Sequence, residues 1–183
     1  MRVSKLLAVF LILGSGLAFG PAFSGVSNFQ QVNSRVYRGA QPEPDAFGNL
    51  ARLGVKTVLD LREDPAQASA EERLVRAAGM RFVSIPMLGL SKPTDDQIAR
   101  ALAILTDDAA VPVFVHCRRG ADRTGTVIAC YRIALDHWRA QKAIAEARSL
   151  GMSFVERAMR QYILDFQPGA AVAAAVAASS VAR

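Results

Sequence analysis

The sequence predicts an α/β fold in which a mainly parallel central sheet is flanked by helices. Short apolar runs with the length of buried strands alternate along the chain with longer segments that have helical spacing. Glycine, proline or a helix-capping residue stands at most of the boundaries. With 183 residues, 51% hydrophobic and 21% charged, the chain has the length and composition of one globular domain with a sizeable core. Strands that alternate with helices are typical of a parallel sheet covered by helices.

The first half of the chain predicts a hairpin followed by helices and strands in alternation. The predicted elements are a hairpin turn at Val32–Val36, helix Pro44–Arg52, strand Lys56–Leu61, helix Ser69–Ala78 and strand Arg81–Ile85. Gly54 and Gly79 end the two helices. Ser69 is a candidate N-cap because Glu72 follows three residues later. Pro86 ends the last of these strands.

The second half predicts one strand among four helices. The elements are helix Thr94–Leu105, strand Val111–Val115, and helices Thr124–Trp138, Gln141–Leu150 and Ser153–Phe166. Thr94 with Gln97, and Ser153 with Glu156, have the spacing of capping boxes at two helix starts.

Both ends of the chain differ from this domain. Arg2 and Lys5 precede an apolar stretch at 6–20, and small residues precede Gly25 at the spacing of a cleavage site. We therefore expect a signal peptide at 1–24, a domain at 25–167 and a low-complexity tail at 168–183. The expected location is periplasmic or secreted, or membrane-anchored if the signal is uncleaved; the apolar stretch is shorter than a stable membrane span.

Charge and cysteine content narrow the expected partners. The formal net charge of +6 suits an anionic substrate, and no basic patch interleaved with aromatic residues indicates nucleic-acid binding. Cys130 follows Thr124 by six residues on one predicted helix, so it lies about 9 Å along the axis and too far from Cys117 for a disulfide. From the sequence we expect that the protein binds no metal and no cofactor and that it is a monomer.

The segment His116–Gly125, HCRRGADRTG, carries the predicted chemistry. An apolar run leads into it and a helical run follows, so a buried strand delivers Cys117 into a short loop that opens a helix. Backbone N–H groups and the helix dipole then converge on a point that suits a tetrahedral oxyanion. Arg123 can bind such an anion with two parallel hydrogen bonds. The same field favours a depressed pKa and a nucleophilic thiolate at Cys117.

This segment resembles the signature loop of the protein tyrosine and dual-specificity phosphatases, in which His-Cys, five residues, Arg and Ser or Thr form the phosphate cradle. The resemblance extends over about 28–166, including NFQQVNSRVYRGAQP and LGVKTVLDLRE, which are similar to compact dual-specificity-type phosphatases of plants, fungi and bacteria. It implies a protein-tyrosine-phosphatase-like fold. It also implies a phosphatase that hydrolyses phosphotyrosine, and phosphoserine or phosphothreonine as well, through a cysteinyl-phosphate.

The resemblance also implies roles for individual residues. Cys117 is the nucleophile, Arg123 holds the equatorial oxygens of phosphate, and Thr124 stabilises the departing thiolate. Substrate-binding positions complete the expected loop: His116, Arg118, Arg119, Gly120, Ala121 and Gly125.

The general acid is open between two candidates. The stretch 86–92, where the family's upstream aspartate would be expected, contains no acid. Asp122, directly before Arg123, resembles the aspartate in the loop of myotubularins and of some secreted bacterial phosphatases, and is preferred. Asp95 and Asp96 are the alternative, although acids in a first helical turn are ordinary dipole and capping residues.

Other functions use similar features. An inositol phosphate or phosphoinositide phosphatase would share the chemistry, and Arg118 and Arg119 suit such substrates. A rhodanese-type sulfurtransferase has a shorter loop between cysteine and arginine. A non-catalytic phosphate-binding module would not need Cys117, Arg123 and Thr124 together. The loop lacks the Gly-Lys-Ser/Thr of a Walker-type nucleotide site.

Overall fold

The computed structural model describes residues 23–169, which form a sheet of five strands. The strands are β1 (Gln30–Gln31), β2 (Val36–Ala40), β3 (Thr57–Asp60), β4 (Arg81–Ser84) and β5 (Val113–Cys117). Their order across the sheet is β1-β2-β5-β3-β4. Only the edge strand β1 pairs antiparallel; the other pairs are parallel. The predicted α/β class and mainly parallel sheet are therefore confirmed, and β1–β2 is the predicted N-terminal hairpin.

Within residues 23–169, six helices flank the sheet: α1 (Ala46–Arg52), α2 (Pro65–Ala77), α3 (Asp95–Thr106), α4 (Asp122–Leu135), α5 (Ala140–Ser149) and α6 (Arg157–Asp165). Successive strand residues point to opposite faces. Val58 and Phe114 therefore pack with apolar residues of α1 and α2, while Leu59 and Val115 pack with those of α3 and α4. Helices α5 and α6 form a smaller apolar cluster against α4.

Helix α2 begins four residues before the predicted start. Asp64, not Ser69, is its N-cap, because the Asp64 side chain accepts hydrogen bonds from the N–H groups of Ala66 and Gln67. Pro65 occupies the first helical position, where its missing N–H costs nothing. The predicted N-cap at Ser69 is therefore wrong. The predicted capping box of Thr94 and Gln97 at the start of α3 is present.

Helix α6 begins later than the Ser153 start predicted for it. The residues that suggested a capping box at 153–156 form a turn instead, because the N–H of Ser153 donates to Asp122 and the N–H of Val155 donates to the hydroxyl of Ser153. Helix α4 begins at Asp122, two residues earlier than predicted, and ends at Leu135. His137 then adopts a φ of 55° that a helix does not allow.

Pairing across the sheet places the ends of three strands together. Cys117 at the end of β5 lies beside Ala40 of β2, and His116 lies beside Asp60 of β3. Ligand sites of open parallel sheets form where strands end at their carboxyl termini. The fold therefore carries the segment 116–125 to that edge.

The expected signal peptide and tail fall mostly outside the described residues. Phe23, which a cut before Gly25 would remove, stacks on Phe29 with ring centroids 4.3 Å apart. Between residues 23 and 169, no helix combines the length and the apolar character that crossing a membrane requires.

Candidate active site

A glycine allows the loop between β5 and α4 to turn tightly. Gly120 has a φ of 68°, which is a left-handed conformation that side chains disfavour. A Cβ at this position would also lie 2.5 Å from the backbone nitrogen of Ala40, and closer still to the backbone of Gly39. The loop therefore lies directly against β2, and only glycine fits there.

The backbone of this loop offers several unused hydrogen-bond donors. Within residues 23–169, no hydrogen bond has the N–H of any residue from 118 to 121 as its donor. The first N–H groups of α4, which begins at Asp122, have no partner inside the helix either. Together with the positive end of the α4 dipole, these groups form a cradle suited to an anion.

Cys117 and Arg123 share a cleft of about 630 Å³ at this cradle. Cys117 is only 2% exposed and forms no disulfide. Arg123 is anchored by the segments that follow β3 and β4, because its Nη1 donates to the carbonyls of Met87 at 3.1 Å and Leu61 at 3.4 Å. The structure thus brings the two central residues of the predicted site together.

A buried polar network fixes His116, the residue before the cysteine. Its Nε2 lies 2.7 Å from Oε1 of Glu71, and Oε2 of Glu71 accepts a 2.7 Å hydrogen bond from Arg62. Arg62 in turn makes a two-pronged ion pair with Asp60 at 2.8 and 2.9 Å. All four side chains are nearly or fully buried. This network holds the ring of His116 in place. Nothing in the sequence pattern indicated Glu71 from α2 as its partner.

The same network contains the one group of potential metal ligands found within residues 23–169. Ligand atoms of Asp60, Glu71 and His116 lie within 4.8 Å of one another. The guanidinium of Arg62 already donates to both carboxylates. A positive charge therefore occupies the centre of this group, and a cation would have to displace it.

Arg38 in β2 is a buried cation behind the loop that sequence reasoning missed. It is 1% exposed, and its Nη2 donates to the carbonyl of Gly120 at 2.6 Å. Burial lowers its pKa to about 10, which still leaves it charged at neutral pH. Its charge interacts favourably with Cys117. Arg38 therefore both holds the loop and adds positive potential at the cysteine.

Asn28 supports the loop from the N-terminal segment. Its side-chain amide donates to the carbonyl of Gly120 at 3.2 Å and to that of Leu150 at 2.9 Å. Asn28 has a φ of 54°, a conformation that asparagine tolerates better than most residues. This contact joins the loop to the end of α5.

Asp122 lies in the cleft, with both carboxylate oxygens bound. Its Oδ2 accepts from Arg119 at 2.6 Å and its Oδ1 accepts from the N–H of Ser153 at 2.9 Å. Arg118 and Arg119 are exposed and line the same cleft. The assignment of Asp122 as the general acid stays a prediction.

The alternative acids lie in different surroundings. Asp95 accepts a 2.8 Å hydrogen bond from the hydroxyl of Tyr162, and Asp96 lies 3.6 Å from Arg100. Asp95 lines a separate cleft formed with α6, and neither residue lines the cleft of Cys117.

The remaining loop residues are buried beneath the cradle. Ala121 is the N-cap of α4, and Gly125 faces α5 so closely that a Cβ there would lie 3.3 Å from that of Ala147. Thr124 is fully buried, and within the described residues its hydroxyl has no hydrogen-bond partner. Cys130, on α4, lies in the apolar core of the domain, where burial raises the pKa of its thiol.

Glu156 is a second acid in the cleft that sequence reasoning placed only in a capping box. It is 5% exposed, and no described residue offers a hydrogen bond to its Oε2. Burial and the neighbouring Asp122 raise the pKa of its carboxyl. The only sequence signal was its position near the start of α6.

Comparisons with known proteins agree with this geometry. Residues 21–164 match the family model described as DSP-PTPase phosphatase fused to NAD+ kinase. The inositol diphosphatase DSP1 of Oryza sativa subsp. japonica is 33% identical over 129 residues, which cover 68% of this chain and 55% of that protein. The dual specificity protein phosphatase TpbA of Pseudomonas aeruginosa is 32% identical over 138 residues, which cover 73% of this chain and 59% of TpbA. The chain thus spans little more than half the length of these relatives.

Solved structures show the same fold. The catalytic core of the PP-IP phosphatase Siw14 from S. cerevisiae aligns with a TM-score of 0.73 at 24% identity, over 85% of this chain and 94% of that one. A TpbA variant in complex with pTyr aligns with a TM-score of 0.64 at 28% identity, over 84% and 90%. The predicted protein-tyrosine-phosphatase-like fold is confirmed. With the family match covering most of the sequence, this chain belongs to the DSP-PTPase family of cysteine-based phosphatases.

Proposed function

We propose that this protein hydrolyses phosphomonoesters through a cysteinyl-phosphate intermediate. The observation that carries the proposal is the position of Cys117 in one cleft with Arg123, at a ring of unused N–H donors where α4 begins. The cradle binds the phosphoryl oxygens, and the thiolate of Cys117 attacks phosphorus. Arg123 and the loop amides stabilise the charge on the equatorial oxygens in the transition state. Water then cleaves the intermediate.

The other loop residues support these steps. His116, fixed by Glu71, holds the end of β5 in place. Thr124 stabilises the thiolate as it leaves phosphorus, for which its unpartnered hydroxyl is available. Gly120 and Gly125 let the loop and the first turn of α4 pack closely against β2 and α5, and Ala121 is the N-cap of α4. Arg118 and Arg119 attract the anionic substrate at the mouth of the cleft.

The walls of the cleft favour an aryl phosphate such as phosphotyrosine. Leu90 and Val155 line it with side chains that are 78% and 76% exposed. An aromatic leaving group can cover these apolar side chains, whereas a polyhydroxylated ring gains little from them. The structure of TpbA with pTyr supports the same substrate class. Phosphoserine and phosphothreonine fill less of this apolar surface, so we expect slower turnover of them.

A second substrate class has its own support. The exposed guanidinium groups of Arg118 and Arg119 suit the several phosphates of an inositol phosphate. One relative named an inositol diphosphatase, DSP1, is 33% identical to this chain, against 32% for TpbA. We keep an inositol phosphate or phosphoinositide as the alternative substrate.

Substrate panels distinguish these proposals. Phosphate release by the purified protein should be fastest from phosphotyrosine peptides, slower from phosphoserine or phosphothreonine peptides, and should be absent in Cys117→Ser, which keeps the cradle but lacks a thiolate. Activity should persist in EDTA, because no step needs a metal. Equal activity of Cys117→Ser, or loss in EDTA that added metal restores, would contradict the mechanism. Preference for inositol phosphates over phosphotyrosine peptides would support the alternative.

We also propose that residues 1–24 direct export. The basic residues, apolar stretch and cleavage-site spacing support this proposal. Fractionation of expressing cells, with N-terminal sequencing of the product, should find a chain that begins at Gly25 outside the cytoplasm. A product that retains residues 1–24 would indicate an uncleaved anchor.

A further inference from the structure

Both carboxylate oxygens of Asp122 are held by donors from the protein. One oxygen accepts from the guanidinium of Arg119 and the other from the N–H of Ser153. These two hydrogen bonds join the loop to the segment before α6. The contacts of Asp122 therefore account for its position in the cleft as a structural residue.

Glu156 has the opposite surroundings in the same cleft. Its side chain is almost completely buried, and its Oε2 has no hydrogen-bond partner among the described residues. Although Glu156 directly precedes α6, its side chain makes no capping hydrogen bond there. Burial of this kind costs an ionised carboxylate more hydration free energy than it costs a protonated carboxyl group. A structural capping role thus leaves the burial of this acid unexplained.

We propose that Glu156 is the general acid of this site, which donates a proton to the leaving oxygen of the substrate. The inference rests on the proposed function. It assigns the donor to a residue from the segment between α5 and α6, with Leu90 and Val155 beside it in the cleft that also contains Cys117.

The two chemical steps then balance. In the first, the thiolate of Cys117 forms an S–P bond, the ester P–O bond breaks, and the leaving oxygen takes the proton of Glu156. The leaving alcohol or phenol departs neutral, and Glu156 becomes a carboxylate. In the second, that carboxylate accepts a proton from the attacking water, a P–O bond forms and the S–P bond breaks. Thiolate and protonated Glu156 are restored, and inorganic phosphate is released.

The charges around Glu156 support this cycle. Burial and the negative charge of Asp122 raise the pKa of Glu156, while Arg119 and Arg123 act in the opposite direction. A raised pKa lets the carboxyl stay protonated nearer to neutral pH, as a general acid requires. A phosphate dianion in the cradle would offset both arginine charges and favour the protonated form further.

The test is the dependence of kcat on leaving-group basicity. Phenyl phosphate and p-nitrophenyl phosphate are compared in the parent protein, in Glu156→Gln and Asp122→Asn, and in the control Glu72→Gln, which changes a half-exposed acid on α2 outside the cleft. Glu156→Gln should lower kcat on phenyl phosphate by about 10²–10⁴-fold and on p-nitrophenyl phosphate far less, because general-acid help grows with leaving-group basicity. In the parent, kcat should fall as rising pH removes the proton of Glu156, and Glu156→Gln should abolish that fall. Glu72→Gln should match the parent.

Each alternative outcome is decisive. Parent-like leaving-group dependence in Glu156→Gln would overturn the inference, and a steeper dependence in Asp122→Asn alone would return the role to Asp122. If Glu156→Gln does not fold, Glu156→Asp provides the test, because the shorter side chain moves the carboxyl group away from the leaving oxygen. Its kcat should then fall more on phenyl phosphate than on p-nitrophenyl phosphate, and an equal fall on both would overturn the inference. Hydrolysis by the parent that is independent of Cys117 would instead overturn the proposed function, and the assignment of Glu156 with it.

Discussion

Replacement of Glu71 by alanine should destabilise the protein far more than the same change at its neighbour Glu72. The two oxygens of Glu71 bind His116 and Arg62, each at 2.7 Å, and all three side chains are almost fully buried. Glu72 is half-exposed on the same helix, and among residues 23–169 its ion-pair partner is Arg76. The pair of variants therefore compares an identical side-chain truncation in buried and solvated surroundings.

The expected loss of stability follows from these contacts. Hydrogen bonds to charged groups contribute about 1.5–3 kcal/mol each, and removal of one partner from a buried ion pair costs about 3–5 kcal/mol. Arg62 keeps its two-pronged pair with Asp60, so the loss should lie at the lower end. We expect Glu71→Ala to lower the free energy of unfolding by about 3 kcal/mol. Glu72→Ala should lower it by at most about 1 kcal/mol.

Urea denaturation at neutral pH, with Tm as a second measurement, would test this estimate. At roughly 2–4 °C per kcal/mol for a domain of this size, Glu71→Ala should lower Tm by about 6–12 °C. Because the network holds His116 next to Cys117, kcat should fall under conditions in which the variant remains folded. A stability loss for Glu71→Ala no larger than that of Glu72→Ala would refute the reasoning that this network stabilises the loop.

Three further predictions concern the cleft. Gly120→Ala should weaken phosphate binding and lower stability by more than about 2 kcal/mol, since its φ and the backbone of Gly39 both oppose a Cβ; unchanged urea midpoint and phosphate affinity would contradict this. Arg123→Lys should have a kcat/KM within about tenfold of Arg123→Ala, because lysine cannot bind two oxygens in parallel; near-parental kcat/KM would show that charge alone suffices. Glu156→Gln should be more stable than the parent at neutral pH, because the raised pKa of Glu156 means that its ionised form is unfavourable in the folded state. The urea midpoints of the two proteins should converge as the pH falls below the ordinary pKa of a glutamate carboxyl. A difference in midpoint that stays constant with pH would contradict this explanation.

The family and the centre of the site could be predicted from local sequence. The alternation of apolar runs and helical segments predicts the α/β class, and the segment 116–125 predicts a strand, a loop and a helix around Cys117 and Arg123. These features depend on residues that are close together along the chain, so they can be predicted from the sequence alone. The start of α2 cannot be chosen from the sequence, because Asp64 and Ser69 both suit an N-cap and only the backbone geometry selects Asp64.

The tertiary structure alone decided which distant residues surround that centre. The strand order places β2 and β3 on either side of β5, which brings Arg38 behind the loop and the carboxylate of Glu71 to His116. The turn before α6 brings Glu156 into the cleft. The sequence determined the nucleophile and its cradle because their geometry is local. The charged side chains that hold and complete the site come from β2, the end of β3, α2 and the turn before α6. Their burial and pairing exist only once the sheet and helices have packed.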